Sequence, residues 1–248
     1  MQPHRQPRHG GQPPYLSVRQ CQSIAKAAEP PRAPKGEIRA LDTESLRELL
    51  GVAKGTNLYA PILIAVTTGL RRGELLGLKW SDIDLTDRFL HVRRSVEQVR
   101  GDVRVKAPKT EKSSRKVTLP RITVTELQRH SLLQKKDRLR LGPIYSDADW
   151  VFSREDGAIW NPDTFTRAFR RLLRDSKLDS IRFHDLRHTH ATQLLKDGIF
   201  IKVVSERLGH SSVQITLDTY AHVLPSMQDE AAERIDSAIS DLLRNSNG

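Results

Sequence analysis

Residues 182–220 read RFHDLRHTHATQLLKDGIFIKVVSERLGHSSVQITLDTY, and the side chains spaced along them decide how the remainder of the chain is read. His184 and Arg187 stand three apart, so a helix over 183–195 projects the imidazole and the guanidinium from one face, and that face can hold an anion. Residues 201–208 predict a second helix closed by Gly209, because glycine tolerates the left-handed backbone of a helix stop. His210 therefore leaves at a fixed point. Ser211 and Gln214 make a Ser-x-x-Gln capping box, so a third helix starts at once and carries Val213, Leu217 and Tyr220 at helical spacing.

The order H-x-x-R, then L-G-H, then a tyrosine ten residues on closely resembles the catalytic domain of the tyrosine recombinases, or phage-type integrases. The resemblance implies a tyrosine that attacks a DNA phosphate held by the histidines and the arginine. It also implies an arginine upstream in a T-G-x-R-x-x-E setting and a lysine on a β-hairpin between the two. Both are present, as Thr68-Gly69-Leu70-Arg71-Arg72-Gly73-Glu74 and Pro108-Lys109-Thr110, in the family's order. By this resemblance Arg71, Lys109, His184, Arg187, His210 and Tyr220 form the catalytic set. Glu74 positions Arg71, and Arg72 is left as a surface or DNA-backbone contact. The fold it implies is α+β and mainly α-helical, with a small three-stranded antiparallel sheet.

Composition agrees without leading there. The chain has 248 residues, enough for one large or two small domains, and its 41 Lys+Arg against 30 Asp+Glu give a net charge of +11. Such an excess favours a polyanionic partner, double-stranded DNA under the resemblance, but says nothing about chemistry. A single cysteine, Cys21, excludes an intrachain disulfide framework and suits a reducing cytoplasm. No apolar run approaches the roughly 20 residues that cross a bilayer, so the expectation is a cytoplasmic, nucleoid-associated protein with no membrane partner.

In chain order, residues 1–36 are rich in Pro, Gly, Gln and Arg and read as a disordered or linker segment. Residues 25–34, AKAAEPPRAP, resemble the linker that in the family follows an N-terminal DNA-clamping domain, and the expectation is that this domain is missing here. Residues 37–248 then form the catalytic domain. Asp42 or Thr43 caps a first helix with a Leu46, Leu49, Leu50 stripe that Gly51 and Gly55 end. Residues 59–66 are apolar all round and predict a helix buried mid-domain, which delivers Gly69 and Arg71. Alternation at Leu90 and Val92, Val103 and Val105, and Val117 and Leu119, with a Gly101-Asp102 turn, predicts the three strands. The connection 107–116, APKTEKSSRK, is a solvated charged loop unless it presents the family's acid, for which Lys109 fits the P-K-T context better than Lys106 or Lys112.

A basic helix follows over 123–141, then a short hairpin over 150–160. Asn161-Pro162 starts a helix with an apolar stripe of Phe165, Ala168, Phe169, Leu172 and Leu173. Arg167, Arg170, Arg171 and Arg174 lie on its remaining faces, where solvation and contact with DNA phosphates are equal readings. After Tyr220, Ala231, Ile235, Ala238, Ile239, Leu242 and Leu243 mark an amphipathic helix that packs on its own domain or, by the resemblance, docks on a neighbouring protomer in a tetramer on DNA.

The residue types suit the chemistry. Charge builds on the phosphate oxygens at the transition state, and preorganised guanidiniums stabilise it without calling for a metal or cofactor. His184 and His210 donate to the remaining oxygens or relay a proton from the tyrosine. Three rivals remain: a DNA-binding remnant without productive recombination, a type IB topoisomerase-like activity, and zinc hydrolysis through His184 and His188. The last lacks the glutamate of the zinc helix, since Asp185 stands there, and Arg187 opposes a metal. His188 and His190 are then a helix-packing or phosphate-adjacent pair.

Overall fold

The predominantly apolar stretch YAPILIAVTT forms the central helix, and its neighbours are arranged to bury it. The computed structural model describes residues 39–107, 114–176, 178–223 and 226–245; residues 1–36 and Lys109 lie outside the described residues. Helix α1 (Thr43–Ala53) opens with Asp42, whose side chain accepts from the Ser45 amide at 2.8 Å. It runs through Gly51 rather than stopping there, because Ala53 at its end is buried and draws the last turn inward. Helix α2 (Tyr59–Thr68) is the buried one and ends on Gly69 at φ 69°. Helix α3 (Arg72–Leu76) follows at once, with Arg71 at its start.

Strands β1 (Ile83–Asp84), β2 (Phe89–Val92) and β5 (Arg115–Thr118) make a three-stranded antiparallel sheet in the order β1, β2, β5. The expected membership differs in one strand. The Val103 and Val105 run is β4 (Asp102–Lys106), which pairs with β3 (Ser95–Val99) in a separate two-stranded hairpin. Its turn is Arg100–Gly101, both at positive φ (52° and 94°), which matches the twist of a tight hairpin and closes the pair locally. Pairing of β2 with β5 sets Val92 opposite Arg115 and Leu90 opposite Val117, so the arginine stands on the inward face beside core valines.

Helix α4 is Arg121–Leu141, and helix α5 (Pro162–Asp175) is capped by Asn161, which accepts from the Asp163 and Thr164 amides at 2.9 and 3.1 Å. Between them the expected hairpin is reduced to isolated antiparallel bridges, Lys79 with Trp150 and Ser153 with Ile159. Helix α5 delivers Phe165 and Phe169 to the main core, where Phe183 meets both rings edge-on at 4.9 and 5.3 Å.

Helix α6 (Asp185–Lys196) begins two residues later than expected. Asp185 accepts from the Arg182 amide and guanidinium, both at 2.8 Å, and this pairing marks the start. Helix α7 (Ile201–Leu208) ends on Gly209 at φ 66°, and α8 (Val213–Tyr220) is capped by Ser212, not Ser211. Helices α6 to α8 enclose a second, smaller core of Ala191, Leu195, Val204, Leu208, Tyr220 and Val223. Helix α9 (Ser226–Asn245) leaves its Ile235, Ile239, Leu242 and Leu243 stripe largely exposed instead of buried on its own domain. Among the described residues no helix is long and apolar enough to cross a membrane.

Candidate active site

Arg71 owes its position to two neighbours. Its amide and guanidinium both bond the Glu74 carboxylate, at 2.9 and 2.8 Å, and its other terminal nitrogen reaches the Gly209 carbonyl at 3.5 Å. Glu74 is itself held from across the domain: Arg115 donates to its two oxygens at 3.1 and 2.9 Å and to the Arg207 carbonyl at 2.8 Å. Burial would raise the Glu74 carboxyl, but the Arg115 hydrogen bonds and charge, with Arg71, hold it down at about 2. It is a fixed anion.

Arg187 is 2 % exposed and donates to two helix-ending carbonyls, Gly69 at 2.7 Å and Leu208 at 2.8 Å. Both stops use left-handed glycine, and a Cβ on Gly69 would lie 2.6 Å from the His190 ring. The two halves of the domain are thereby pinned to one guanidinium. Burial first, then the charge of Arg71, works against the Arg187 cation, and Glu74 offsets only part of this. Three guanidiniums around one carboxylate leave an unbalanced positive site that an anion would relieve.

His184 and His210 lie in the field of Arg187 and Arg71. More than a third of His184 is open to solvent, yet desolvation of its ring, then His188, Arg187 and Arg71, lower it to about 4. Partial burial and then Arg187, Arg71 and Arg115 do the same to His210, whose Nδ1 shares a 2.8 Å hydrogen bond with the buried Thr216 hydroxyl. Both imidazoles are neutral near pH 7 and keep one nitrogen apiece as a donor to an oxyanion.

Tyr220 is 1 % exposed, its ring set in the second core and its hydroxyl 2.9 Å from Nδ1 of His188. Burial pushes the phenol up to about 12, against an opposing pull from the Arg187 charge. The phenol, both arginines and the three imidazoles thus belong to one electrostatic neighbourhood within one chain. The sequence matches the family described as Phage integrase family over residues 39–227.

The chain belongs to that family.

It is 34% identical over 235 residues to the Tyrosine recombinase XerC-like protein of Caldanaerobacter subterraneus subsp. tengcongensis, covering 89% of this chain and 60% of that one. It is 35% identical over 176 residues to the ICEBs1 integrase of Bacillus subtilis, covering 71% and 48%. The chain therefore spans about half to three fifths of the length of these relatives. The Tn1549 transposon integrase, solved with transposon right end DNA, superposes with a TM-score of 0.70 at 22% identity over 86% of this chain and 70% of that one, a likeness of fold.

Not every residue singled out from the sequence sits at this centre. Arg72 turns its guanidinium onto α5, where it bonds the Thr166 hydroxyl and the Pro162 carbonyl, and so ties two helices together rather than lying free on the surface. Arg167, Arg170, Arg171 and Arg174 are exposed and share one face of α5, opposite the Phe165 and Phe169 stripe, instead of being spread over several. Arg171 and Arg174 pair with Asp175. Among the described residues no cluster of three His, Cys, Asp or Glu is placed to hold a metal ion.

Two participants escaped the sequence reading, Arg115 and Arg207. Arg115 carried a signal: it occupies the inward position of an alternating strand, and a charge there needs a partner. Arg207 carried none, and His190, read as a helix-packing or phosphate-adjacent histidine, is buried between helices. His190 donates through Nδ1 to the Val66 carbonyl at 2.7 Å and accepts from Arg207 Nε at 3.0 Å, while Arg207 also reaches the Thr67 carbonyl at 3.0 Å. His188, expected as a packing or phosphate-adjacent residue, is the imidazole on the phenol.

Proposed function

We propose that residues 37–248 form a catalytic domain that breaks and rejoins double-stranded DNA through a covalent 3′-phosphotyrosyl link at Tyr220. The observation that carries this reading is the convergence, in a single chain, of the Tyr220 phenol with Arg187, which itself lies in the field of Arg71 and its anchor Glu74. Arg71 and Arg187 hold the scissile phosphate and stabilise its charge as the fifth bond forms. His184 and His210 donate to the same oxygens. Lys109 protonates the departing 5′ oxygen, a role that rests on its sequence context alone. The bond energy is kept in the phosphotyrosine, so a second 5′ hydroxyl reseals the strand without a nucleotide or metal cofactor.

The arginine face of α5 supplies contacts to the DNA backbone, and the exposed apolar stripe of α9 docks on a neighbouring copy in a tetramer assembled on DNA. The Tn1549 transposon integrase, solved with DNA, shares this fold and supports the DNA contact by analogy. A DNA enzyme of this kind works in the cytoplasm, at the nucleoid.

The test is a pool of randomised duplexes, each carrying a nick that traps the cleaved strand. Labelled DNA covalently attached to the protein, with the label mapped to Tyr220 and lost in Tyr220→Phe, is the expected result. Arg187→Ala should slow adduct formation by about 100-fold or more, as removal of a single oxyanion donor does elsewhere. Tight DNA binding with no adduct would favour a binding remnant. Relaxation of supercoiled DNA with no preferred site would favour a topoisomerase.

A further inference from the structure

The family motifs direct attention to His184 and His210, but neither is hydrogen-bonded to the nucleophile. Nδ1 of His188 is 2.9 Å from the Tyr220 hydroxyl, with the two rings 5.8 Å apart and inclined at 59°. The phenol ring is buried in the second core with Leu195, Val204 and Leu208, so its hydroxyl has a set direction. His188 lies one helical turn beyond His184, and the two imidazoles meet edge-on at 4.9 Å, which fixes the second ring as well.

We propose that His188 is the general base that takes the phenolic proton of Tyr220. The inference rests on the strand-breaking function proposed above and names a further catalytic residue for it. The Tyr220 O–H bond breaks as an N–H bond forms at Nδ1. The oxygen lone pair makes the new bond to phosphorus, and the P–O5′ bond opens onto an oxygen that receives its proton from the acid, Lys109 in the proposed function. On resealing, the incoming 5′ hydroxyl surrenders its proton to Lys109, and the histidinium returns its own to the departing phenolate. No net proton is consumed.

The surroundings favour a base that is unprotonated at rest. Around His188 stand Asp185, Arg187 and His184 on its own helix or at its start, Arg182 just before it, Tyr220 from α8 and His210 from the turn after α7. Asp185 pulls toward the charged form but is already engaged by Arg182. Desolvation outweighs it, and the imidazole is held below its ordinary value. A buried phenol needs such help, because its own proton is bound more tightly than in water.

The experiment compares wild type with His188→Asn and His188→Ala in single-turnover adduct formation on the trapping duplexes, across pH 5 to about 9.5. An asparagine oxygen can occupy the Nδ1 position and accept the hydrogen bond, yet it cannot hold a proton. Wild type should level off above the His188 titration. His188→Asn should lose about 10²- to 10⁴-fold at neutral pH and regain rate steadily with rising pH, with DNA affinity unchanged. Added imidazole should partly restore His188→Ala. A bridging 5′-phosphorothiolate, which leaves without an acid, should rescue Lys109→Ala but not His188→Asn. A His188→Asn enzyme with wild-type rate and pH profile overturns the proposal and leaves the strand-breaking function standing. Absence of any wild-type adduct overturns both.

Discussion

Arg115 on β5 and Glu74 on α3 face each other 41 positions apart in sequence and form a two-point ion pair, nitrogen to oxygen at 3.1 and 2.9 Å, with both side chains 7% exposed. The pair joins the small sheet to the helix that carries Arg71, and it continues to the carbonyl of Arg207 on α7. A strand, a short helix and the helix before His210 thus share one buried charge network.

Removing one partner leaves the other charged and buried, which typically costs about 3–5 kcal/mol. Arg115→Ala should therefore lower unfolding free energy by that order in urea titrations. At temperatures where the variant remains folded, it should also slow adduct formation, because Glu74 is no longer held against Arg71. Arg115→Lys should recover little of either, since one ammonium cannot grip two oxygens at once.

Acid should weaken the fold in two windows. His190 is buried, and desolvation, then the Arg207 charge, lower it from an ordinary 6.5 to about 4. Between those values the unfolded chain binds a proton that the folded one refuses, so its contribution is full above about 6.5 and lost as pH falls toward 4. Glu74, held at about 2 against an ordinary 4.5, adds a loss that begins below 4.5 and is complete near 2. Urea midpoints at pH 7, 5.5 and 4.5 should fall in that order. In His190→Gln the slope between pH 6.5 and 4 should flatten.

Gly209→Ala should be harmful well beyond a lost methyl's worth of space. The residue sits at φ 66°, where an L side chain costs about 1–2 kcal/mol, and its new Cβ would stand 2.7 Å from an Arg115 terminal nitrogen. Arg115 would have to move, and Arg71 with it, because Gly209 also supplies a carbonyl to Arg71. Thermal unfolding and adduct rate should both decline, whereas Gly51→Ala, with nothing within 4 Å of its Cβ, should leave activity unchanged.

The α5 arginines separate by their partners. Arg171 and Arg174 already pair with Asp175, at 3.3 and 3.2 Å, while Arg167 bonds only the Thr164 hydroxyl among the described residues. Each that contacts a phosphate should reduce the salt dependence of DNA binding by about one charge when changed to alanine. Arg167→Ala should show the larger loss of affinity in a salt titration; equal and negligible effects at all four positions would make this face a solvated one.

Much of the fold could be read along the chain, and the reasons are local. A helix buried on all sides is apolar on all sides, as 59–66 is; Asp42 and Asn161 cap helices because their side chains reach amides three residues away at most; Gly69 and Gly209 mark stops because the left-handed backbone disfavours other residues. The order of Arg71, Arg187, His210 and Tyr220 in their motifs was likewise enough to indicate the family. Strand alternation, by contrast, specifies which face is buried but not which strand lies alongside. Alternation alone therefore puts the Val103 and Val105 run in the three-stranded sheet, whereas the turn at Arg100–Gly101 pairs it with Ser95–Val99.

What local pattern determined was the set of elements and the residue types offered to a phosphate. What only the packed chain decided was partnership: that Arg115 grips Glu74, that Arg72 holds α5, and that His188 rather than His184 or His210 meets the Tyr220 hydroxyl. Those contacts join positions 32 to 94 residues apart, so they follow from how helices and strands rotate against one another as their apolar faces are buried. Helical spacing places His184 and His188 equally well on a surface; the angle at which α8 packs across α6 selects the one that touches the phenol.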